Sequence, residues 1–440
     1  MKMTDMTIIS VDDHISEPPD MYKKHLSGEE LATAPKLLTT AAGTNYWEYQ
    51  GMKMPSVGLN AVVGRPLEEY GMEPTSLEQI RKGAYDVHAR VGDMNVNGIA
   101  ASLNFGSFPG FDGGRFHKVP DRALSLLHLR GYNDWHIDEW CGSYPGRFIP
   151  CGILPTWDMS ATLQELARLA KKGCTTVSVN ENPTIQGLPS IHNEYWEPFW
   201  KCVTDLDITL CLHIGGGNPA PHASMESPIE AWITTMPMSI AVGAADWLNL
   251  SALQRYPAMK IALSEGGLGW IPYFLERADF SHSRHQFWTN SRFNFKDDKP
   301  SDVFKRHFMC CFIDDAFGLK NIDELNEDLV AYECDYPHSD SLWPEVPERL
   351  HATTRRLTDQ QIEKITHLNA MRFFRFDPFK RHQREELTVG ALRAKAKADG
   401  VDTTTRSSGG VAPLAKGETP RVITSGDLMR MFSHHAKAEA

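Results

Sequence analysis

The sequence predicts an α/β fold, namely a distorted (β/α)8 TIM barrel with an insertion after its first strand and a C-terminal tail. Short β-rich runs alternate with helical segments along the chain, and there are eight such runs. The runs are almost continuously apolar, which is typical of parallel strands that are covered on both faces. Eight strands alternating with helices favour a closed barrel over an open, doubly wound sheet.

The order of the elements follows from the apolar pattern. Residues 158–173 form an amphipathic helix that begins at Asp158 or Ser160 and stops at Gly173. Further helices are predicted at residues 193–207 and, with Ile362, Ile365 and Leu368 facing inward, at residues 357–374. The eight predicted strands span residues 7–14, 99–105, 148–155, 174–181, 208–215, 259–266, 308–315 and 329–337.

The predicted barrel domain spans residues 1–382. Two segments fall outside the alternation of strands and helices, one within this domain and one after it. Residues 18–82 form an insertion that contains a hairpin turning at Gln50 and Gly51. The insertion is either a lid over the barrel mouth or an ornament at the barrel edge, and the sequence does not choose between them. Residues 383–440 form a C-terminal extension, predicted to be partly flexible because its middle is rich in Gly, Ser and Thr.

The end of the extension has the pattern of a short amphipathic helix. Its apolar residues are Leu428, Met429, Met431 and Phe432. A helix this short needs a surface on which to dock. A neighbouring subunit is one such surface, so we expect the chain to form a homo-oligomer or a hetero-oligomer with a paralogue.

Composition excludes several classes of function. The 440 residues carry a formal net charge of −11 and no strongly basic stretch, which argues against nucleic acid as a partner. No apolar run approaches the roughly 20 residues that a membrane-spanning helix needs. The eight cysteines form no CxxC pair, and the N-terminus lacks a signal-like apolar region. A cytoplasmic protein with reduced thiols is expected.

Polar side chains collect where the predicted strands end. In a barrel of this type the active site lies at the carboxyl ends of the strands, so these residues are candidates for one shared site. They are Asp12, His14, Asn104, Asn180, Glu181, His213, Glu265, Asp314, Asp315 and Asp335.

Among them, Asp12 and His14 have the spacing of a metal-binding pair. Residues two apart on a strand share a face, which would point inward if their apolar neighbours point outward. His213 and Asp335 end two other strands and could complete the ligand set. A lone His or Asp is usually a core or capping residue, but their coincidence at the ends of strands one, five and eight favours a divalent ion such as Zn²⁺, Mn²⁺ or Fe²⁺.

Five segments then carry a family resemblance: VDDHISEPP, LCLHIGGG, SEGGLGWIPYFLERAD, ECDYPHSDSLWP and EKITHLNAMRFF. In order and spacing they resemble the amidohydrolase-related family of the metal-dependent hydrolase superfamily, in the branch of aminocarboxymuconate semialdehyde decarboxylase and the aromatic acid decarboxylases. The resemblance covers most of residues 7–380. It implies a distorted barrel with a divalent metal held by Asp12, His14, His213 and Asp335, and zinc is the ion we expect first.

The sequence departs from that family in two places. The first strand carries Asp-x-His where the decarboxylases have His-x-His or Glu-x-His, and Glu265 stands where they typically carry a proton-handling His. Glu265 could act as a general base or bind metal directly. His338 is a second candidate catalytic residue. With Glu17 and Asp340 nearby in the motifs, a second ion is conceivable, although Glu17 could equally be a loop carboxylate that caps backbone amides.

Three functional hypotheses remain open. The first is a metal-dependent hydrolase or decarboxylase that acts on a small carboxylate-bearing organic molecule. The second is a dinuclear non-haem iron or manganese oxygenase of the same superfamily. The third is a metal-binding but catalytically silent subunit that partners an active paralogue. Aromatic residues near the motif ends could line a pocket, and Arg90, Arg115 or Arg147 could pair with a substrate carboxylate.

Overall fold

The computed structural model of the protein describes residues 1–438, and the side chains of residues 1–433. Residues 439 and 440, which end the predicted C-terminal extension, lie outside the described residues. The strands are β1 (Ile8–Ile15), β2 (Lys36–Thr39), β3 (Asn45–Tyr49), β4 (Met52–Met54), β5 (Ile99–Gly106), β6 (Phe148–Ile149), β7 (Cys151–Gly152), β8 (Thr176–Ser178), β9 (Thr209–His213), β10 (Lys260–Ser264), β11 (Phe308–Phe312) and β12 (Val330–Tyr332).

Helices separate most of these strands. They are α1 (Gly28–Ala32), α2 (Val87–Val96), α3 (Gly114–Lys118), α4 (Arg122–Asp134), α5 (Met159–Lys171), α6 (Glu197–Asp205), α7 (Ile229–Thr235), α8 (Met238–Leu248), α9 (Ala252–Arg255), α10 (Ile271–His285), α11 (Arg292–Phe295), α12 (Pro300–His307), α13 (Ala316–Lys320), α14 (Val346–Thr354), α15 (Asp359–Glu363), α16 (Asn369–Phe373), α17 (Val389–Ala398) and α18 (Ser425–Ala438). Two π-helical turns, Trp135–Cys141 and Lys364–Leu368, extend α4 and join α15 to α16.

The parallel strands lie in the order expected of a barrel. One sheet has the order β1-β5-β6 and another the order β7-β8-β9-β10-β11-β12. Only Pro150 separates β6 from β7, so the two short strands fill one position. On the other side, the Asp335 N–H donates to the Asp12 carbonyl (2.9 Å), and the His14 N–H donates to the Tyr336 carbonyl (2.7 Å). Eight strand positions therefore surround one interior.

Two apolar clusters explain why the strands are almost continuously apolar. One cluster fills the barrel interior with small and medium side chains, among them Ile9, Val11, Ala101, Cys211 and Ala331. The second, larger cluster lies between the strands and the surrounding helices. Burial of both strand faces removes the polar alternation that a half-exposed strand would show.

The helix predictions hold with one correction. Helix α5 begins after Asp158, whose carboxylate accepts the Ala161 N–H. In the final helical segment Ile362 and Ile365 are buried as predicted, but Leu368 is 38% exposed. The π-helical turn that ends at Leu368 accounts for this difference, because its wider turn breaks the 3.6-residue spacing on which the prediction relied.

The segment between β1 and α2 contains a small antiparallel sheet, β2-β3-β4. Strands β3 and β4 form the expected hairpin, and Gln50 and Gly51 both have positive φ (47° and 79°), as a tight hairpin turn requires. Residues 60–63 reach back to the loop after β12. The Asn60 amide donates to Ser339 Oγ (2.7 Å), and two backbone amides donate to the Pro337 carbonyl.

The C-terminal extension runs across the chain rather than away from it. Helix α17, which the sequence analysis missed, packs on α2 and β5. The following segment pairs Val411 with Glu73 in the insertion. It then reaches the segment after β9, where Ile423 accepts the Ile229 N–H (2.8 Å) and α18 packs against α7 of the same chain. A subunit contact through this helix stays a prediction.

Within the described residues, no helix is both long and apolar enough to span a membrane.

Candidate metal centre

Six ionisable side chains meet where strands β1, β9, β10 and β12 end. They comprise three carboxylates and three imidazoles: Asp12, His14, His213, Glu265, Asp335 and His338. His14 lies at the centre. Its Nε2 atom is 3.4 Å from Asp12 Oδ1, 3.1 Å from Asp335 Oδ1 and 3.3 Å from His213 Nε2. Such spacings between donor atoms are those expected around one shared cation with bonds of about 2.0–2.2 Å.

A bulge in β1 aims Asp12 and His14 into the barrel. Ile9 and Val11 also lie in the interior cluster, so the inward face does not arise from outward-pointing apolar neighbours, as the sequence analysis supposed. Instead, the pairing of β1 with β5 shifts between Ser10 and Asp13. Such a bulge adds a residue, reverses the alternation of the side chains and is frequent beside functional sites.

Glu265 and Asp335 lie one and three residues beyond strands β10 and β12, in strained backbone. Both have positive φ, 56° for Glu265 and 54° for Asp335. This left-handed conformation costs a residue other than glycine about 1–2 kcal/mol, and such strain tends to cluster at functional sites. His338 follows three residues after Asp335, and its Nδ1 lies 2.9 Å from Asp335 Oδ1. The turns therefore bring three more donors to the strand pair.

The donor atoms of the cluster are short of hydrogen-bond partners. Both oxygens of Asp12 are buried without one, and so is His338 Nε2. Unpaired buried carboxylate oxygens are costly unless they coordinate a cation. The donor set, which is rich in oxygen and contains three imidazoles, fits a divalent metal ion.

Electrostatics in the cluster favour added positive charge. Burial lowers the pKa of His14 to about 3, so its imidazole is neutral. Burial also opposes charge on His213 and His338, but the neighbouring carboxylates outweigh it and raise the pKa of each to about 10. The carboxylates thus attract positive charge, which protons or a divalent cation can supply.

The surroundings orient the imidazole of His213. Its Nδ1 donates to the Ile214 carbonyl (2.7 Å), which leaves Nε2 facing the cluster. The Phe111 ring packs at 4.0 Å from that of His213 and 5.0 Å from that of His14. The loop after β5 therefore covers one side of the cluster with an aromatic ring.

Two supporting residues escaped the sequence analysis in this role. Arg90, fully buried, donates to the His14 carbonyl and, at 2.6 Å, to the Gly83 carbonyl. The Glu333 carboxylate accepts hydrogen bonds from the backbone N–H of Glu265 (3.1 Å) and from the thiol of Cys311 (2.6 Å). Burial and the Asp12 charge raise the pKa of Glu333 well above its usual range. The sequence signal that could have identified Glu333 is its position as an acidic residue directly after an apolar strand.

Other candidates hold loops rather than join the cluster. Glu17 accepts the Phe108 N–H (2.7 Å) and the Tyr132 hydroxyl (3.1 Å). Asp315 caps α13 and accepts two backbone amides of the loop after β10. Asn180 joins Asp112 to the Gly216 carbonyl. Their side chains serve local backbone geometry.

The remaining strand-end and arginine candidates also have structural partners. Asn104 accepts the Trp140 indole N–H, and Asp314 pairs with Arg349. Glu181 accepts the backbone amides of Gly217 and Asn218. Like Arg90, both Arg115 and Arg147 donate to backbone carbonyls. Asp340 belongs to neither ligand group found among the described residues.

Solved structures share this fold. An amidohydrolase from Mycobacterium avium subsp. paratuberculosis superimposes with a TM-score of 0.62 at 15% identity, covering 84% of this chain and 99% of its own. A 5-carboxyvanillate decarboxylase from Novosphingobium aromaticivorans, complexed with manganese and 4-hydroxy-3-methoxy-5-nitrobenzoic acid, gives 0.59 at 18%, covering 85% and 99%. A dihydroxybenzoic acid decarboxylase from a Polaromonas species, with bound manganese and 2-nitroresorcinol, gives 0.56 at 19%, covering 86% and 98%.

At these identities the superpositions establish the fold alone. No curated protein matches the sequence. The amidohydrolase family model matches residues 107–376, more than half of the chain, and this range contains His213, Glu265, Asp335 and His338. The chain therefore belongs to the amidohydrolase family.

Proposed function

We propose that the chain is a metal-dependent hydrolase or decarboxylase that acts on a small organic substrate bearing a carboxylate. The proposal rests on two overlapping donor groups, in which His14 lies close to Asp12 and His213 on one side and to Asp335 on the other. It also rests on the two buried Asp12 oxygens, which have no hydrogen-bond partner. These four residues would hold a divalent ion, which when bound supplies a Lewis acid at the barrel mouth. Complexes of similar folds with manganese and aromatic ligands support this class of substrate.

Manganese replaces zinc as the ion that we propose first. The cluster offers three carboxylates beside its three imidazoles. Carboxylate oxygens are ligands that suit Mn²⁺. Two of the structurally similar decarboxylases are described with bound manganese. Zinc, expected from the sequence, has no comparable support.

Glu265 is the proposed proton-transfer residue. Its carboxylate lies 3.5 Å from His14 Nε2 and 3.8 Å from His338 Nδ1, and its side chain is 13% exposed toward the mouth. Burial disfavours its charge, but the charge of His213 and the nearby imidazoles of His14 and His338 lower the pKa of Glu265 well below its usual range. An ionised carboxylate at the mouth can accept a proton from water or substrate. His338 would orient it.

Residues 56–63 of the insertion are the segment that we propose as a lid. They lie against the loop that carries His338, through Asn60 and the amides of Val62 and Val63. Closure of this segment would exclude water from the reacting carboxylate. The hairpin of β3 and β4 packs instead beside the loop after β5, where Trp47 contacts Phe108.

Metal content tests the proposal directly. We expect protein purified without chelator to contain at least one divalent ion per chain by elemental analysis. The double variant His213→Ala, Asp335→Ala should lose it. The exposed pair His192 and Asp246, 2.9 Å apart, provides a matched control, since replacing both with alanine removes the same residue types and should leave the metal content unchanged. Equal metal content in both double variants would refute the site.

Activity is tested with a panel of hydroxylated benzoates and carboxylate-bearing amides or esters. Release of carbon dioxide indicates a decarboxylase, and release of an amine or alcohol indicates a hydrolase. Turnover should disappear in the His213→Ala, Asp335→Ala variant but persist in the control. Turnover that survives the loss of bound metal would contradict metal-dependent chemistry.

A further inference from the structure

Helix α10 carries a row of aromatic side chains that remain exposed. Tyr273, Phe280 and Phe287 are exposed by 74%, 55% and 67%, respectively. They are seven residues apart along the chain, so they lie on one face of a helix. The helical winding continues past His285, because the Thr289 N–H donates to the His285 carbonyl (3.1 Å). The three rings therefore form one continuous row.

The opposite face of α10 fixes the helix on the barrel. Ile271 and Leu275 are buried in the larger apolar cluster. The Phe274 ring packs 5.1 Å from that of Trp270 and 5.9 Å from that of Phe304. A surface helix that is docked by one face usually carries polar residues on the other, so the exposed aromatic row needs an explanation of its own.

The row widens where the helix ends. Trp288 and Phe293 are 76% and 68% exposed. The Arg292 guanidinium lies 5.5 Å from the Phe287 ring and 5.0 Å from the Phe293 ring, so one cation joins the two rings. Together with the row on α10, Trp288 and Phe293 make up the aromatic stripe. A contiguous exposed patch of this kind marks an interaction site, whereas single exposed apolar residues do not.

The size of the aromatic stripe matches what a stable dimer buries. An aromatic side chain has roughly 150–250 Å² of surface to bury. Since the five rings are exposed by about two thirds on average, the stripe offers roughly 500–850 Å² per copy. A stable interface of ordinary size buries about 800 Å² on each partner. A second copy of the stripe therefore provides a cover of the right extent.

The charges beside the stripe are symmetric about Phe280. Glu276 lies four residues before it and Arg284 four residues after it, and both are exposed. Neither one forms an ion pair with another residue of the described part of the chain. Opposite charges at equal distances from one residue are complementary in an antiparallel pair of identical helices, because each Glu276 then lies level with an Arg284.

We propose that α10 docks on a second copy of this chain, antiparallel and across a two-fold axis at Phe280. In this arrangement Phe280 meets the same residue of the second copy, and Tyr273 meets Phe287. A two-fold interface is self-complementary, because each contact occurs twice, and both the aromatic and the charged positions satisfy this condition. The inference is independent of the proposed function, since none of these residues belongs to the metal cluster.

Sedimentation equilibrium of the intact chain tests the dimer. We expect a dimer at micromolar concentration, and a monomer at that concentration would overturn the proposal. Phe280→Glu places two carboxylates together on the axis and should weaken the dimer about tenfold or more. Leu67→Glu, at a residue that is 76% exposed outside the stripe, is the matched control and should leave the dimer unchanged. A dimer that survives Phe280→Glu would use another surface, such as α18, and would contradict the proposal.

Charge exchange separates this geometry from general stickiness. Glu276→Arg or Arg284→Glu alone places like charges together twice and should weaken the dimer about tenfold or more. The double variant restores opposite pairs and should recover the dimer. A double variant as weak as the single ones would contradict the antiparallel pairing.

Disulfide formation measures the register of the two helices. Only a residue on the two-fold axis meets its own counterpart, so Phe280→Cys should form a covalent dimer on mild oxidation. Tyr273→Cys should not, because its two copies would lie about 21 Å apart along the antiparallel helices. The double variant Tyr273→Cys, Phe287→Cys should cross-link again. The unaltered chain, whose eight cysteines are buried or half-buried, gives the background. Cross-linking of Tyr273→Cys as complete as that of Phe280→Cys would contradict the proposed register.

Discussion

The two halves of the donor cluster are built differently. Asp12, His14 and His213 belong to strands and lie fully buried, so the sheet fixes their backbone. Glu265, Asp335 and His338 lie on turns beyond the strands, two of them in left-handed backbone, and Glu265 and His338 retain some exposure to the mouth. The strand half is thus suited to hold an ion rigidly, and the turn half to meet substrate.

The largest effect is expected from the strand half. Asp12→Ala removes a proposed metal ligand, both oxygens of which are buried without a hydrogen-bond partner. Metal affinity should fall by more than roughly 100-fold, since even partners of the ligands contribute about 10–100-fold. Titration with Mn²⁺ monitored by calorimetry measures the change, and unaltered affinity would show that the strand half does not bind metal.

In the turn half, we expect Glu265→Gln to lower kcat by about 100-fold or more, because a proton-transferring carboxylate contributes on the order of 10²–10⁴. At least one ion should remain bound. Steady-state kinetics and elemental analysis of the same sample test both statements. If Glu265→Gln lost all metal, the division between the halves would be wrong.

Glu17 follows β1 and accepts a hydrogen bond from the loop that carries Phe111. Through this residue, which supports the strand half, the stability of the fold should depend on pH. Burial raises the pKa of Glu17 to about 7, so the folded chain keeps a proton that the unfolded chain releases near pH 4.5. Stability should therefore fall as pH rises from about 4.5 to 7, by up to about 3 kcal/mol. Glu17→Gln should remove this part of the pH dependence in denaturant titrations, and an unchanged profile would contradict it.

The turn that carries Asp335 packs against Gly83 so closely that a larger residue at position 83 should displace it. A Cβ atom there would lie 2.2 Å from the Asp93 carboxylate and 2.6 Å from the Tyr336 hydroxyl. Tyr336 follows Asp335 directly, so Gly83→Ala should shift this turn and destabilise the fold by about 1–3 kcal/mol. Thermal unfolding measures the loss. Gly173→Ala, at a glycine with open space but a strained φ, separates the clash from backbone strain.

How far the sequence predicts the site also differs between the halves. The polar ends of the predicted strands mark five of the six cluster members, namely Asp12, His14, His213, Glu265 and Asp335. The family resemblance adds His338 and gives Glu265 a candidate role, without fixing whether the two bind metal or move protons. Arg90 and Glu333 were not assigned their roles beneath the site, because hydrogen bonds between elements distant in the chain leave no periodic pattern.

The sequence by itself determined the eight barrel strands and the helices predicted at residues 158–173, 193–207 and 357–374, since apolar periodicity reports burial locally. Tertiary structure alone decided which way the ends of β1, β10 and β12 turn. The bulge at Ser10–Asp13 and the left-handed backbone of Glu265 and Asp335 are stabilised by neighbouring strands and loops, which must be in place before such conformations are favourable. It also decided that the C-terminal extension lies across the insertion, because that contact joins segments more than 300 residues apart.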